Sequence, residues 1–169
     1  MEDVLVNKVA ESGLITLNLE QFIPPEDHIV SFDIKPFLFR EMIVREKDFR
    51  QSLAEHDWTQ YLGKQVAVYC STDAIIPMWA YMLIASALSP FATFIFTGTE
   101  DAMRSHLILE NIGKITVDEY VDKRVVIKGC GDKPMPEAAY LTITSRLRPV
   151  VKSLMYGEPC STVPVYKKK

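Results

Sequence analysis

Two stretches of this chain, 61–98 and 120–157, are copies of one another at a shift of 59 residues. Tyr61 meets Tyr120, Lys64 meets Lys123 and Val66 meets Val125. Asp73, Pro77, Ala80 and Tyr81 meet Asp132, Pro136, Ala139 and Tyr140. Ile84, Ser86, Leu88, Pro90 and Gly98 meet Ile143, Ser145, Leu147, Pro149 and Gly157. These are 12 identities in 38 ungapped positions, where chance would give about two. Whatever one copy folds into, the other must also be able to fold into. Two copies are too few for a solenoid, so they predict a duplicated βαβ unit.

Each copy opens with a β-rich run, 65–70 and 124–130, that ends in small or polar residues. A loop carrying Asp73 or Asp132 follows. Pro77 and Pro136 fall near the first helical turn, where a fixed φ and a missing N–H cost nothing. The helices run to about Leu88 and Leu147, and Pro90 and Pro149 prevent their continuation. Taken alone, 146–156 reads as more helix. Its counterpart, Phe91 to Phe96, reads as a strand, so 150–156 is predicted to be a strand as well. Thr99 is a good N-cap for a helix ending near Gly113, with Met103, Leu107 and Ile108 at helical spacing. Upstream, 14–19 and 28–33 read as strands separated by Pro24-Pro25, and 46–55 reads as a helix.

This order predicts an α/β fold with a mostly parallel sheet, flanking helices and right-handed crossovers. The N-terminal strands are predicted to add an antiparallel edge. The predicted organisation is a single α/β domain over 1–169. It divides into N-terminal strands and helix (1–58), copy one (59–98), a linking helix (99–113), copy two (117–160) and a tail (161–169).

Composition narrows the function classes. A length of 169 residues, 48% hydrophobic and 24% charged, suits one globular domain with a sizeable core. A net charge of −3 argues against a nucleic-acid surface, which needs a basic excess. The run from Ala74 to Thr99 carries no charge and is long enough to span a bilayer. Pro77 and Pro90 divide it, and the matching copy holds Glu137, Arg146, Arg148 and Lys152, so a buried helix and a strand are predicted instead. The acidic start Met1-Glu2-Asp3-Val4 lacks signal-peptide character. Three cysteines are an odd and sparse set, which favours reduced thiols in the cytosol, and the expected location is cytoplasmic.

Cys70 and Cys130 end the first strands of the two copies, and Cys160 follows the last predicted strand. If these strands share one parallel sheet, all three thiols face its carboxyl edge, where open α/β sheets bind ligands. Asp73, Asp132 and Asp101 fall on the same edge. Three thiolates with a carboxylate or other fourth ligand suit zinc, iron or an iron–sulfur cluster. The candidate metal ligands are therefore Cys70, Cys130, Cys160, Asp73 and Asp132. No CxxC pair is present, and free cysteines are often simply small buried hydrophobes. The second reading is a thiol enzyme or persulfide carrier with Cys130 or Cys160 as nucleophile, helped by a following helix N-terminus. Gly129 and Gly131 leave the Cys130 backbone uncovered. The third reading is a non-catalytic interaction domain.

Other residues carry weaker signals. Asp73 and Asp132 more often cap helices or tie loops. Lys128 and Lys133 flank Cys130 and could attract an anion. His56 is a candidate fourth ligand, although helix C-termini also favour histidine. Tyr81 and Tyr140 are expected to pack.

The runs Val-Asn-Lys-Val-Ala-Glu-Ser-Gly-Leu-Ile-Thr-Leu (6–17), Glu-Lys-Asp-Phe-Arg (46–50), His-Asp-Trp (56–58), Arg-Val-Val-Ile-Lys-Gly-Cys (124–130) and Gly-Glu-Pro-Cys-Ser-Thr-Val-Pro (157–164) resemble an uncharacterised bacterial family known only as a domain of unknown function. The resemblance covers nearly the whole chain. It supplies no catalytic residues. It implies an accessory role in metal, sulfur or iron–sulfur chemistry, with iron–sulfur assembly proteins as partners.

Overall fold

The structure is a computed structural model and describes residues 13–129 and 131–169. Cys130 lies outside the described residues. The strands are β1 (Leu14–Leu17), β2 (Ile29–Asp33), β3 (Gln65–Tyr69), β4 (Phe94–Thr97), β5 (Arg124–Lys128), β6 (Ser153–Glu158) and β7 (Ser161–Lys167). The α-helices are α1 (Glu46–Glu55), α2 (Met78–Leu88), α3 (Glu100–Gly113) and α4 (Glu137–Leu147). The protein is mixed α/β with mostly parallel strands, as the repeat predicts. Residues 153–158 are indeed a strand, paired parallel to β5.

The strands form two sheets rather than one. The first has the order β2-β3-β4 and the second β1-β5-β6-β7. Correspondingly, the chain folds into two compact units. Pro24–Arg104 makes the three-stranded unit. Of the described residues, 13–23 together with those of 105–169 make the four-stranded unit.

The expected antiparallel N-terminal edge is corrected. β2 pairs parallel with β3, starting at Ile29 against Gln65, and β1 pairs parallel with β5, starting at Leu14 against Arg124. The physical reason is the crossover: α1 lies between β2 and β3, and a helical crossover returns the chain in the same direction. The antiparallel edge lies at the other end of the chain. Residues expected to be a tail form β7, joined to β6 by the two-residue turn Pro159-Cys160. Pro164 sits in this edge strand, where a missing N–H is tolerated, beside a register shift.

The duplication reaches further than the identities. Phe32, Ile34, Phe49, Leu53, Tyr61, Val66, Val68, Ala80, Ile84 and Leu88 belong to the core of the three-stranded unit. Leu17, Leu19, Ile108, Ile112, Tyr120, Val125, Ile127, Ala139, Ile143 and Leu147 hold the matching places in the other core. The last eight pairs keep the shift of 59, and the first two keep a shift of 15 set by the strand registers. β1 therefore stands to β5 as β2 stands to β3. In each unit the central strand is buried on both faces over three consecutive apolar residues, as parallel strands require. α2 buries Ala80, Ile84 and Leu88, and α4 buries Ala139, Ile143 and Leu147, each one stripe at i, i+4, i+8.

The charge-free run from 74 to 99 becomes the 11-residue helix α2 and the strand β4. Among the described residues no helix is long and apolar enough to cross a membrane. Thr99 caps α3 as predicted: its Oγ1 accepts the Ala102 N–H at 3.2 Å.

Candidate functional site at the carboxyl edge of the four-stranded sheet

The sequence-predicted ligands divide between the units. Cys70 directly follows β3 in the three-stranded unit, is half-buried and packs against that unit's core. Asp73 belongs to the same unit, beside exposed apolar Met42, Ile43 and Ile75. Cys160 is exposed in the β6–β7 turn of the four-stranded unit, and Asp132 lies in the loop before α4 of that unit. The one-sheet edge that would gather the three thiols does not form, because strands 65–69 and 153–158 belong to different sheets. Among the described residues, no group of three or more His, Cys, Asp and Glu is placed to hold a metal ion. His56 instead packs in an aromatic cluster: its ring centroid lies 4.8 Å from Trp58 and 5.3 Å from Phe37. Its Nε2 is 3.2 Å from Tyr61 Oη. Burial lowers the His56 pKa, against the opposing charge of Asp57.

The two carboxyl edges are built on one plan and furnished differently. In the three-stranded unit Asp33 ends β2 and ties the loop after β3. Its Oδ1 accepts the N–H groups of Lys35 and Ser71, each at 3.0 Å, and its Oδ2 accepts the Ser71 hydroxyl at 2.5 Å. Burial alone would raise this carboxyl, but the Ser71 and Lys35 hydrogen bonds outweigh it and leave the pKa lowered.

In the four-stranded unit Asn18 holds the Asp33 place. Its Oδ1 accepts the Glu20 N–H at 3.0 Å, as Asp33 accepts that of Lys35. The tie to the next loop has moved to Glu20, whose Oε1 accepts the Lys133 N–H at 3.0 Å. Its other oxygen accepts from the Asn18 amide at 3.3 Å. The Lys133 N–H, the Asn18 side chain, the Asp132 N–H and the Lys128 charge hold the Glu20 carboxyl below its ordinary pKa. In sequence, the residue matching Ser71 is Cys130.

Two adjoining hollows open at this edge. One, of about 210 Å³, is lined by Asn18, Glu20, Lys128, Gly129, Gly131 and Tyr140 among others. The second, of about 470 Å³, shares Glu20, Lys128 and Gly131 with it and adds Asp132 and Glu158. Glu158 Oε1 is buried and has no hydrogen-bond partner among the described residues. Tyr156 closes the β6 side: its hydroxyl donates to the Gly129 carbonyl at 3.2 Å, and its ring meets Tyr140 edge-on at 5.8 Å. Tyr140 is therefore both a packing residue and a cleft wall. Asn18, Glu20 and Glu158 were not singled out by the sequence. Their signal is positional, since Asn18 directly follows the apolar run 14–17, Glu20 lies two residues further on, and Glu158 ends β6.

The fold and this edge define a duplicated, mostly parallel α/β protein with a polar cleft at the carboxyl end of the β1-β5-β6-β7 sheet. The description "Protein of unknown function (DUF2480)" matches residues 3–168, and the chain belongs to that family. No curated protein matches it, and no solved structure matches it.

Proposed function

We propose that this protein carries out thiol chemistry on the four-stranded unit, as a persulfide carrier or thiol enzyme with Cys130 or Cys160 as nucleophile. The observation that carries this reading is the polar cleft lined by Gly129 and Gly131, the residues that flank Cys130 in the chain. Glycines leave backbone open to a small substrate, and lysines beside carboxylates suit a polar one. Cys160, in the β6–β7 turn, is the second thiol of the same unit. Cys70 packs against the other core, which favours a structural role for it.

In the sulfur-carrier form of the reaction the cysteine thiolate attacks the outer sulfur of a donor persulfide. The donor S–S bond breaks, a new S–S bond forms on the protein, and the donor leaves as a thiolate. No oxidant is needed. The test is incubation of the parent and of the C70S, C130S and C160S variants with a low-molecular-weight persulfide, followed by intact mass. The mass of one sulfur atom should be gained by the parent and by C70S, and lost in C130S or C160S. Equal gain in all four proteins, or gain lost only in C70S, would overturn the reading. Metal retained by the parent after anaerobic purification, and lost in a triple Cys→Ser variant, would replace it with shared metal or iron–sulfur binding.

A further inference from the structure

Gly131 faces the Glu20 carboxylate so closely that a Cβ there would overlap Oε1 and lie 3.0 Å from Cδ. The same carboxylate accepts the Lys133 N–H at 3.0 Å. Glu20 stands on the short turn Leu19–Phe22 after β1, and its side chain is braced by the Asn18 amide at 3.3 Å. A single side chain thus reaches across 113 residues of sequence to hold the Lys133 N–H, and its Oε1 occupies the space that the missing Gly131 side chain leaves. The three-stranded unit secures its loop from a different position. There Asp33 ties Ser71, Lys35 occupies the Glu20 place and Ala74 the Lys133 place.

We infer that Glu20 is a positioning residue of the cleft, a carboxylate clamp that ties the backbone of loop 131–133 through the Lys133 N–H, while Gly131 leaves the room in which its Oε1 sits. The clamp rests on geometry alone. Its bearing on thiol chemistry rests on the function proposed above, because Cys130 directly precedes the clamped segment. A carboxylate suits such a clamp because it offers two oxygens to several donors, and hydrogen bonds to charged acceptors are the stronger ones.

The experiment is amide hydrogen exchange by NMR on the full chain, in the parent and in the E20A, E20Q, G131A and E20A/G131A variants. The Lys133 amide should exchange at least about tenfold faster in E20A and in G131A, where a Cβ must push Oε1 aside, while the β5 amides of Val125–Ile127 keep parent rates and report an intact core. Because Gly131 and Glu20 act as one pair, adding G131A to E20A should change the Lys133 rate by less than about threefold. E20Q, which keeps one acceptor oxygen, should fall between parent and E20A. Parent-like exchange in E20A, or single effects that multiply in the double variant, would overturn the clamp. The second arm is the pH profile of iodoacetamide labelling at Cys130. A profile displaced in E20A and partly restored in E20Q supports the positioning role. A loosened Lys133 amide with an unchanged profile would keep the clamp but overturn its assignment to the thiol.

Discussion

The three-stranded and four-stranded units have matching cores and differ at their carboxyl edges. Ten buried side chains correspond in the two units, and the strand registers repeat with them. The edges were free to diverge because side chains at strand ends and loops pack little. One edge ties its loop with Asp33 and Ser71, and continues from β4 into α3. The other ties its loop with Glu20, continues from β6 into a hairpin, and opens a polar cleft between Asn18, Lys128 and Glu158. The lesson is that duplication preserved the frame and released the rim, where ligands of parallel α/β sheets bind.

The largest expected effects test the shared frame. Leu88 and Leu147 are matched helix positions, and both are fully buried. L88A and L147A should each cost about 2–5 kcal/mol in urea unfolding. Trp58 and Trp79, the two tryptophans, both lie in the three-stranded unit, so fluorescence follows L88A and amide exchange in β5 follows L147A. A cost under about 1 kcal/mol at one position only would break the equivalence of the cores.

Next come the ties at the edges. D33A removes the acceptor of three hydrogen bonds and should cost about 1–3 kcal/mol by urea unfolding. N18A removes the acceptor for one N–H, and should cost less than D33A. The reverse order would mean that the four-stranded unit leans on its edge more than its hydrogen bonds indicate.

How far the sequence could be read follows from the same contrast. The βαβ copies were legible because Pro77/Pro136, Ala80/Ala139 and Leu88/Leu147 kept identity at positions where packing allows little choice. The strand character of 153–158 was legible only through its counterpart. The pairing of β1 and β2 was not, because those strands match at a shift of 15, and by chemical type rather than identity. Nor do consecutive crossovers specify which strand edges meet. Four parallel strands read in order suggest one sheet, whereas each N-terminal strand takes one edge of a separate sheet, which puts Cys70 and Cys160 on different sheets. β7 was hidden by Pro164 and the lysine-rich end. The clamp was hidden by distance: nothing local to Glu20 announces a partner at Lys133.

A smaller effect concerns pH and is read at His56 of the three-stranded unit; no histidine among the described residues lines the hollows at the other edge. Burial lowers the His56 pKa, so its protonation is disfavoured in the fold relative to the unfolded chain. Stability should therefore be full above the ordinary histidine value of about 6.5 and decline as pH falls below it. Asp33, with a lowered pKa, adds stability above the ordinary aspartate range that is lost as pH falls through its folded value. The Tm followed by tryptophan fluorescence should be lower at pH 5.5 than at pH 7, and H56Q should flatten that step. A parent Tm independent of pH between these values would contradict it.

The smallest effect compares one turn in its two versions. Gly63 and Asp122 occupy matched left-handed positions, with φ of 72° and 53°. Their N–H groups donate to the matched carbonyls of Phe91 and Val150 at 3.0 and 2.8 Å. G63A should cost about 1 kcal/mol in urea unfolding. D122G should cost less than G63A, because glycine is already accepted in the same turn and only the exposed ion pair with Lys168, at 2.9 Å, is lost. A loss at D122G as large as that at G63A would show that the turns are not interchangeable.

The central claim, that one rim of a duplicated frame carries the chemistry, is tested most directly by site-resolved iodoacetamide labelling near neutral pH, with the folded chain compared with the urea-unfolded chain. The account predicts that Cys130 or Cys160 reacts at least about tenfold faster in the folded protein, and that Cys70 reacts more slowly folded than unfolded. Uniformly slow labelling of all three thiols in the folded protein, or acceleration confined to Cys70, would contradict it.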